Sequence, residues 1–442
     1  MIVRRVAGVA AVAVLAAVAT GCSGGGHGNG QVSPAARASA AGNGGAGNGG
    51  GAGSGTGTAA GAPRVTITPG NGARQASPSA GITVTATGGK LTHVTVRTAG
   101  DAVTGGLSQG GTVWRSQWAL DVSQAYAVTA TASGPGGTVT TTSAFRTLTP
   151  AATFTTEILE GYGQTYGVGM PIILYFSQPI TDKAAVERSF EVTTSTPVVG
   201  AWYWDEPCNL AAACAYFRPR DYWPSGTTVS FTGHLNGVQG APGVYGAHTL
   251  TQTFKIGASL IAVGNTATHR TQIYYNGKLR YNWPISSGRP GDDTPNGSYL
   301  TIEKANPVQM TGPGYSISVP WSVRFTFSGD YYHDAYWSVG QQGFENVSHG
   351  CVNLAPADAE TYYNLAVPGD PITIVGSPKG GIWGNGWTQW FLSWTQYLKG
   401  SALHEAVQAG PDGSTFVDPS TLAPSTASAP LGTAPGGNDA AR

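Results

Sequence analysis

The segment HDAYWSVGQQGFENVSHGCVN, residues 333–353, decides how this chain is read. It opens on His333, runs fourteen further residues and closes on Ser348-His349-Gly350-Cys351-Val352-Asn353. A free thiol ionises only weakly at neutral pH, with an ordinary pKa of about 8.5, so a nucleophilic cysteine needs an imidazole beside it. His333 is that base if its strand lies next to the one that Cys351 leads into. Gly350 removes a Cβ beside the thiol, so backbone N–H groups of Gly350 and Cys351 can approach a developing oxyanion. On chemistry alone this is a candidate Cys/His acyl-transfer site. Two other readings stay open: a buried structural cysteine with two core histidines, and a zinc site built from His333, His349 and Cys351. Against zinc, the chain has no CxxC or HxxxH knuckle and no evident fourth ligand.

The arrangement His-x14-Ser-His-Gly-Cys-Val-Asn resembles the signature of the L,D-transpeptidases, cysteine enzymes that cross-link peptidoglycan. Upstream, Thr294-Pro295-Asn296-Gly297-Ser298-Tyr299 resembles the family's Thr-Pro-x-Gly-x-Tyr segment. The resemblance covers residues 258–376 as catalytic domain. The stretch YGQTYGVGMP, residues 162–171, resembles the immunoglobulin-like domain that precedes it in actinobacterial members.

The resemblance implies Cys351 as nucleophile and His333 as base. It places His349 and Asn353 in the site, where with Ser348 and Gly350 they position thiol and substrate. A lid over the donor site carries a Met and a Tyr in the family; here Met310 and Tyr315 occupy the Gly/Pro-containing loop 306–320. The implied partners are peptidoglycan stem peptides, a tetrapeptide donor and a diamino acid acceptor joined 3→3, with carbapenems acylating the same thiol. No metal or organic cofactor is implied. His333 needs a third group to hold its ring. Adjacent side chains of an extended strand face opposite ways, so a backbone carbonyl suits that role better than the Asp334 carboxylate. Asp334 departs from the family, where a small residue usually follows the histidine. Two rival functions remain: an L,D-carboxypeptidase, in which water resolves the same acyl-enzyme, and a non-catalytic wall-binding scaffold.

Composition excludes some partners, and the N-terminus points to work outside the cytoplasm. Lys plus Arg and Asp plus Glu both number 23, giving zero formal charge, and charged residues are only 10% of the 442. Such a chain has no electrostatic footprint for nucleic acid. Between 258 and 376 there are six Lys/Arg against nine Asp/Glu, so bulk positive charge does not capture substrate. Residues 1–22 read as a lipoprotein signal: Arg4-Arg5, an apolar run too short to span a bilayer, then Ala19-Thr20-Gly21-Cys22, which resembles a lipobox. Ala19 stands where Leu is commoner, and simple secretion with cleavage near Gly21 is the alternative. Lipidation of Cys22 would anchor the protein on the outer face of the cytoplasmic membrane. Residues 23–62, nearly all Gly, Ala, Ser, Asn and Thr, read as a disordered tether with a mean span of roughly 35 Å.

The rest is expected to be mostly β, two Ig-like sandwiches ahead of the catalytic domain. In 63–148, alternating runs near 65–68, 82–85, 91–98, 113–120, 125–132 and 138–145 are separated by turn residues. Trp114 and Trp118 are four apart and should share one strand face in the core. The second sandwich, 149–257, is richer in aromatics, and Cys208 and Cys214 should close a small disulfide loop in an exported protein. In the catalytic domain Asn276-Gly277 signals a two-residue hairpin, and 355–366 a helix with Asp358 and Glu360 near its start. Trp387, Trp390, Trp394 and Leu398 recur at helical spacing, so 377–410 is expected to be a helical extension packing on both neighbours. Residues 411–442 are expected to be disordered.

Overall fold

Alternation of Thr with Val or Ile builds the first sandwich. Arg64–Thr68 buries Val65 and Ile67 and turns its other residues outward. In the computed structural model, which describes residues 61–425 except 207, 209, 210, 313 and 314, this strand opens a four-stranded sheet. The order is Arg64–Thr68, Thr83–Thr87, Val113–Ser116, Gly105–Ser108. A three-stranded sheet of Lys90–Arg97, Ala125–Gly134 and Gly137–Arg146 shares its core, which contains Val84, Leu91, Trp114, Val128 and Phe145. Every residue of Gly105–Ser108 is exposed, so no alternation betrays the strand. The expectation for the tryptophans needs correcting. The strand stops at Ser116, so Trp114 is core while Trp118 lies beyond it, stacked 3.8 Å from His234 of the second sandwich.

The second sandwich sets a four-stranded sheet (Thr165–Tyr166, Leu250–Ile256, Thr228–Gly233, Phe190–Thr194) against a six-stranded one. Trp202, Phe217, Phe231, Phe190 and Trp204 interlock between them. Cys208 and Cys214 are disulfide-bonded.

The third core belongs to the domain that carries the His/Cys segment. A five-stranded sheet runs Lys278–Pro284, Arg270–Tyr275, Leu260–Asn265, Pro371–Val375, Gly297–Leu300. Beside it, Glu303–Ala305, Ser322–Arg324, Tyr331–Asp334 and Val352–Leu354 form a four-stranded sheet. Asn276 and Gly277 take φ of 50° and 75°, the left-handed pair that a two-residue hairpin requires. The helix Pro356–Leu365 starts on a proline with Asp358 in its first turn and buries Ala359 and Tyr362. Residues 306–320 are not a loop: Val308–Gly312 and Tyr315–Val319 pair as an antiparallel hairpin.

The C-terminal extension also differs from expectation. Its aromatics do not share one helix, because Leu392 is extended and Ser393 caps a new helix, Trp394–Leu398, through a capping box with Gln396. The stripe still joins the neighbours: Trp387 and Trp390 pack with Met170 and Ile173 of the second sandwich and Leu300 of the third domain. Ala406–Gly410 and Gly413–Val417 then form a hairpin that supplies two of the six strands of the second sandwich's larger sheet, with Val198 opposite Ala409. Residues 411–425 are therefore ordered structure up to and beyond that hairpin. Gly410-Pro411-Asp412-Gly413 supplies the turn chemistry. The signal segment, Cys22, residues 23–60 of the tether and residues 426–442 lie outside the described residues. Among the described residues no helix is long and apolar enough to cross a membrane.

Candidate active site

Parallel pairing of Tyr331–Asp334 with Val352–Leu354 assembles the site. Tyr332 is opposite Val352, and both are buried in the domain core; His333 is opposite Asn353, on the other face. Cys351 immediately precedes the second strand, two residues before Asn353, the partner of His333. His333 is 3% exposed. Its Nδ1 lies 2.7 Å from the Asp334 carbonyl oxygen. A carbonyl only accepts, so Nδ1 carries the proton and Nε2 keeps the lone pair. The orienting group is thus a backbone carbonyl, as extended geometry requires. Trp337, 44% exposed, stacks its ring 6.0 Å from that of His333.

Hydrogen bonds hold the turn before the strand. Ser348 Oγ donates to the Cys351 carbonyl at 2.6 Å and accepts from the Gly350 N–H at 3.1 Å. That Gly350 N–H is therefore engaged and is not open to an oxyanion in this state, which corrects the expectation for it. Buried Thr294 donates to the Gly350 carbonyl at 2.7 Å and accepts from Gly288 N–H at 2.9 Å. Gly350 has φ of 129°, and a Cβ there would stand 2.5 Å from Asp330 Oδ1. Glycine is needed here both for the backbone conformation and for the carboxylate packed against it. Asn353 is buried and donates through Nδ2 to Ser338 Oγ at 2.9 Å, so it braces the segment after His333.

Cys351 is half-buried, and its Sγ donates to the Gly329 carbonyl at 3.7 Å. Among the described residues no hydrogen bond joins the thiol to the His333 ring. Burial pushes the thiol up to about 12, the Asp330 charge adds to that, and the Tyr331 backbone amide works against it. Burial pushes His333 down to about 4, partly offset by its bond to the Asp334 carbonyl. The resting pair is a neutral thiol and a neutral imidazole, so proton transfer must accompany attack.

The remaining expected residues are more scattered. His349 is exposed. Met310 is half-buried on the hairpin, opposite Ile317, and Tyr315 opens its second strand opposite Gly312. Sequence reasoning missed Asp330 and the hydroxyl role of Thr294. Ser328-Gly329-Asp330, just before the paired strand, carries no motif that marks it. Among the described residues no group of three His, Cys, Asp or Glu side chains is placed to hold a metal ion.

Comparison with known proteins agrees with this architecture. The family described as L,D-transpeptidase catalytic domain matches residues 259–374, and that described as Bacterial Ig domain matches 73–239, running across both sandwiches. L,D-transpeptidase 5 of Mycobacterium tuberculosis is 35% identical over 356 residues, 77% of this chain and 78% of the relative. L,D-transpeptidase 2 of the same organism is 32% identical over 352 residues, 77% and 85%. A crystal structure of an L,D-transpeptidase from Mycobacterium tuberculosis is 32% identical and spans 50% of this chain and 96% of that one, with a TM-score of 0.40. An Ig region followed by an L,D-transpeptidase catalytic domain is the class the domains define. The chain belongs to the L,D-transpeptidase family and is an L,D-transpeptidase enzyme.

Proposed function

We propose that the chain forms 3→3 cross-links in peptidoglycan through an acyl-enzyme on Cys351. The observation that carries this reading is the neutral, ring-anchored His333 on a strand paired with the one that Cys351 leads into. With Nδ1 fixed on the Asp334 carbonyl, Nε2 is the atom free to take the thiol proton. As the Cys351 side chain turns away from the Gly329 carbonyl, Sγ attacks the carbonyl carbon of the third residue of a tetrapeptide stem. The tetrahedral adduct collapses, and His333 returns the proton to the departing D-alanine nitrogen. The amine of a second stem's third residue then displaces sulfur from the thioester. Base assistance of this kind is worth about 10² to 10⁴ in rate.

In the same reading His349, Ser348, Gly350 and Asn353 shape the site, and the hairpin with Met310 and Tyr315 covers the donor. Carbapenems acylate Cys351. Export, with lipid attached at Cys22, holds the enzyme at the outer face of the cytoplasmic membrane, and residues 23–62 give it reach. Support comes from the sequence motifs and the family membership. Purified tetrapeptide stems test it: dimers should form, and Cys351→Ala should form none. Conversion of tetrapeptide to tripeptide with no dimer would identify a carboxypeptidase instead. Unchanged dimer formation by Cys351→Ala would remove the cysteine from the chemistry.

A further inference from the structure

A carboxylate beside a cysteine nucleophile works against it. Negative charge disfavours a thiolate, and the Asp330 charge does push the Cys351 thiol upward. Yet Asp330 is deliberately held. Its Oδ2 accepts from Thr326 Oγ1 at 2.7 Å and from Ser328 Oγ at 3.4 Å, and its backbone N–H donates to Thr326 Oγ1 at 2.8 Å. The Ser328 turn is clamped in turn by Asn385, whose Oδ1 accepts from Ser328 N–H and whose Nδ2 donates to Ser328 Oγ. Gly350 makes room for the other oxygen, Oδ1, which no described residue hydrogen-bonds. Lys379 and Arg324 act on the carboxylate electrostatically, but among the described residues neither forms an ion pair with it; Arg324 pairs with Glu303 at 2.8 Å.

A half-buried anion, fixed on one oxygen and open on the other at the edge of the thiol, has the form of a cation site. The reaction brings one cation there. An alkyl amine with an ordinary pKa of about 10.4 arrives as ammonium at neutral pH and must lose a proton before it can attack. We propose that Asp330 is the acceptor-recognition residue, binding the ammonium of the incoming amine through Oδ1 and taking its first proton. The inference rests on the acyl-enzyme reading above and specifies how that intermediate chooses amine over water.

The step balances. The ammonium gives one proton to the Asp330 carboxylate, and the freed nitrogen bonds to the thioester carbonyl carbon as the C–S bond breaks. The second nitrogen proton passes through His333 to the departing sulfur, and Asp330 returns its proton to solvent. Burial, which holds the Asp330 carboxyl above its ordinary value, favours that proton transfer.

The test measures how a preformed acyl-enzyme, made with a tetrapeptide donor, partitions between nucleophiles. The acceptors are a diamino acid amide, cationic at pH 7, and hydroxylamine, neutral at pH 7, with hydrolysis as internal reference. Asp330→Asn keeps an acceptor for Thr326 and Ser328 but removes the charge. It should lower aminolysis relative to hydrolysis by about tenfold for the cationic acceptor, leave the hydroxylamine ratio within about twofold, and be partly rescued by Asp330→Glu. Equal loss toward both nucleophiles, or an unchanged ratio, overturns the assignment. Absence of any acyl-enzyme from the unaltered chain overturns the functional reading together with this one, whereas an acyl-enzyme indifferent to acceptor charge overturns this one alone.

Discussion

Replacing Gly350 by alanine probes the site where backbone, the Asp330 carboxylate and Cys351 meet. Two separate costs follow from the structure. At φ of 129° an L side chain is strained, which costs on the order of 1–3 kcal/mol. The added Cβ would also stand 2.5 Å from Asp330 Oδ1, so carboxylate and turn must separate by roughly an ångström to reach ordinary contact. Either movement shifts Cys351, the next residue, and a misplacement of about 1 Å at a reacting group costs about a hundredfold in rate. Gly350→Ala should therefore lower the unfolding midpoint by several degrees and slow carbapenem acylation, followed by intact-protein mass spectrometry, by about two orders of magnitude. A double-mutant cycle separates the terms. In an Asp330→Ala background the carboxylate clash is gone and only the backbone strain remains, so the second alanine should cost less than it does alone. Unchanged acylation in Gly350→Ala would refute the reasoning, and strictly additive effects would refute the contact between Gly350 and Asp330.

Three further outcomes can be measured. Thr294→Val leaves the Gly350 carbonyl and the Gly288 N–H unpaired in a buried site, so it should cost about 1–3 kcal/mol in denaturant unfolding and slow acylation as well. His333, pushed from an ordinary 6.5 down to about 4, is protonated more readily in the unfolded chain. Its contribution is intact above pH 6.5 and is lost as pH falls toward 4, by up to about 3 kcal/mol. Buried Glu160, pushed up to about 8, has the opposite sign, losing its contribution as pH rises from 4.5 through 8. The His333 share is thus best read as the stability difference from His333→Gln across pH 4–6.5, which should move in the variant's favour at low pH; a flat difference would mean the imidazole is not held neutral. Trp390→Ala removes a ring whose Nε1 donates to the Gly169 carbonyl at 2.7 Å and over which the buried Arg218 guanidinium lies 4.2 Å from the centroid. About 3–5 kcal/mol should be lost, visible as an earlier unfolding transition.

Features carried by adjacent residues were legible in the sequence. Asn276-Gly277 specifies its hairpin wherever it occurs, and alternating Thr and Val specify a half-buried strand. The His333-to-Cys351 spacing was legible as chemistry, and parallel pairing of the His333 strand with the one that follows Cys351 gives it geometry. Asp330 was not legible, since its meaning depends on meeting Gly350 across that pairing, twenty residues further on. The C-terminal misreading had a different origin. Tryptophan spacing suggested one helix, while Ser393 and Gln396, a capping box, marked a restart three residues after Trp390. Gly410-Pro411-Asp412-Gly413 likewise marked a hairpin inside what composition suggested was tail. Even with that hairpin recognised, nothing local says that its strand pairs with Val198–Gly200, some two hundred residues upstream. Trp118 shows the same limit, because a strand end at Ser116 converts a core position into a contact with His234.

The most direct test of the account is to incubate the unaltered chain with a tetrapeptide donor in the absence of any amine acceptor, quench in acid and map the modified peptide. The account predicts a tripeptide acyl group on Cys351, with stoichiometric release of D-alanine and no adduct in Cys351→Ala. An acyl group on another residue, or D-alanine release that persists in Cys351→Ala, would contradict it.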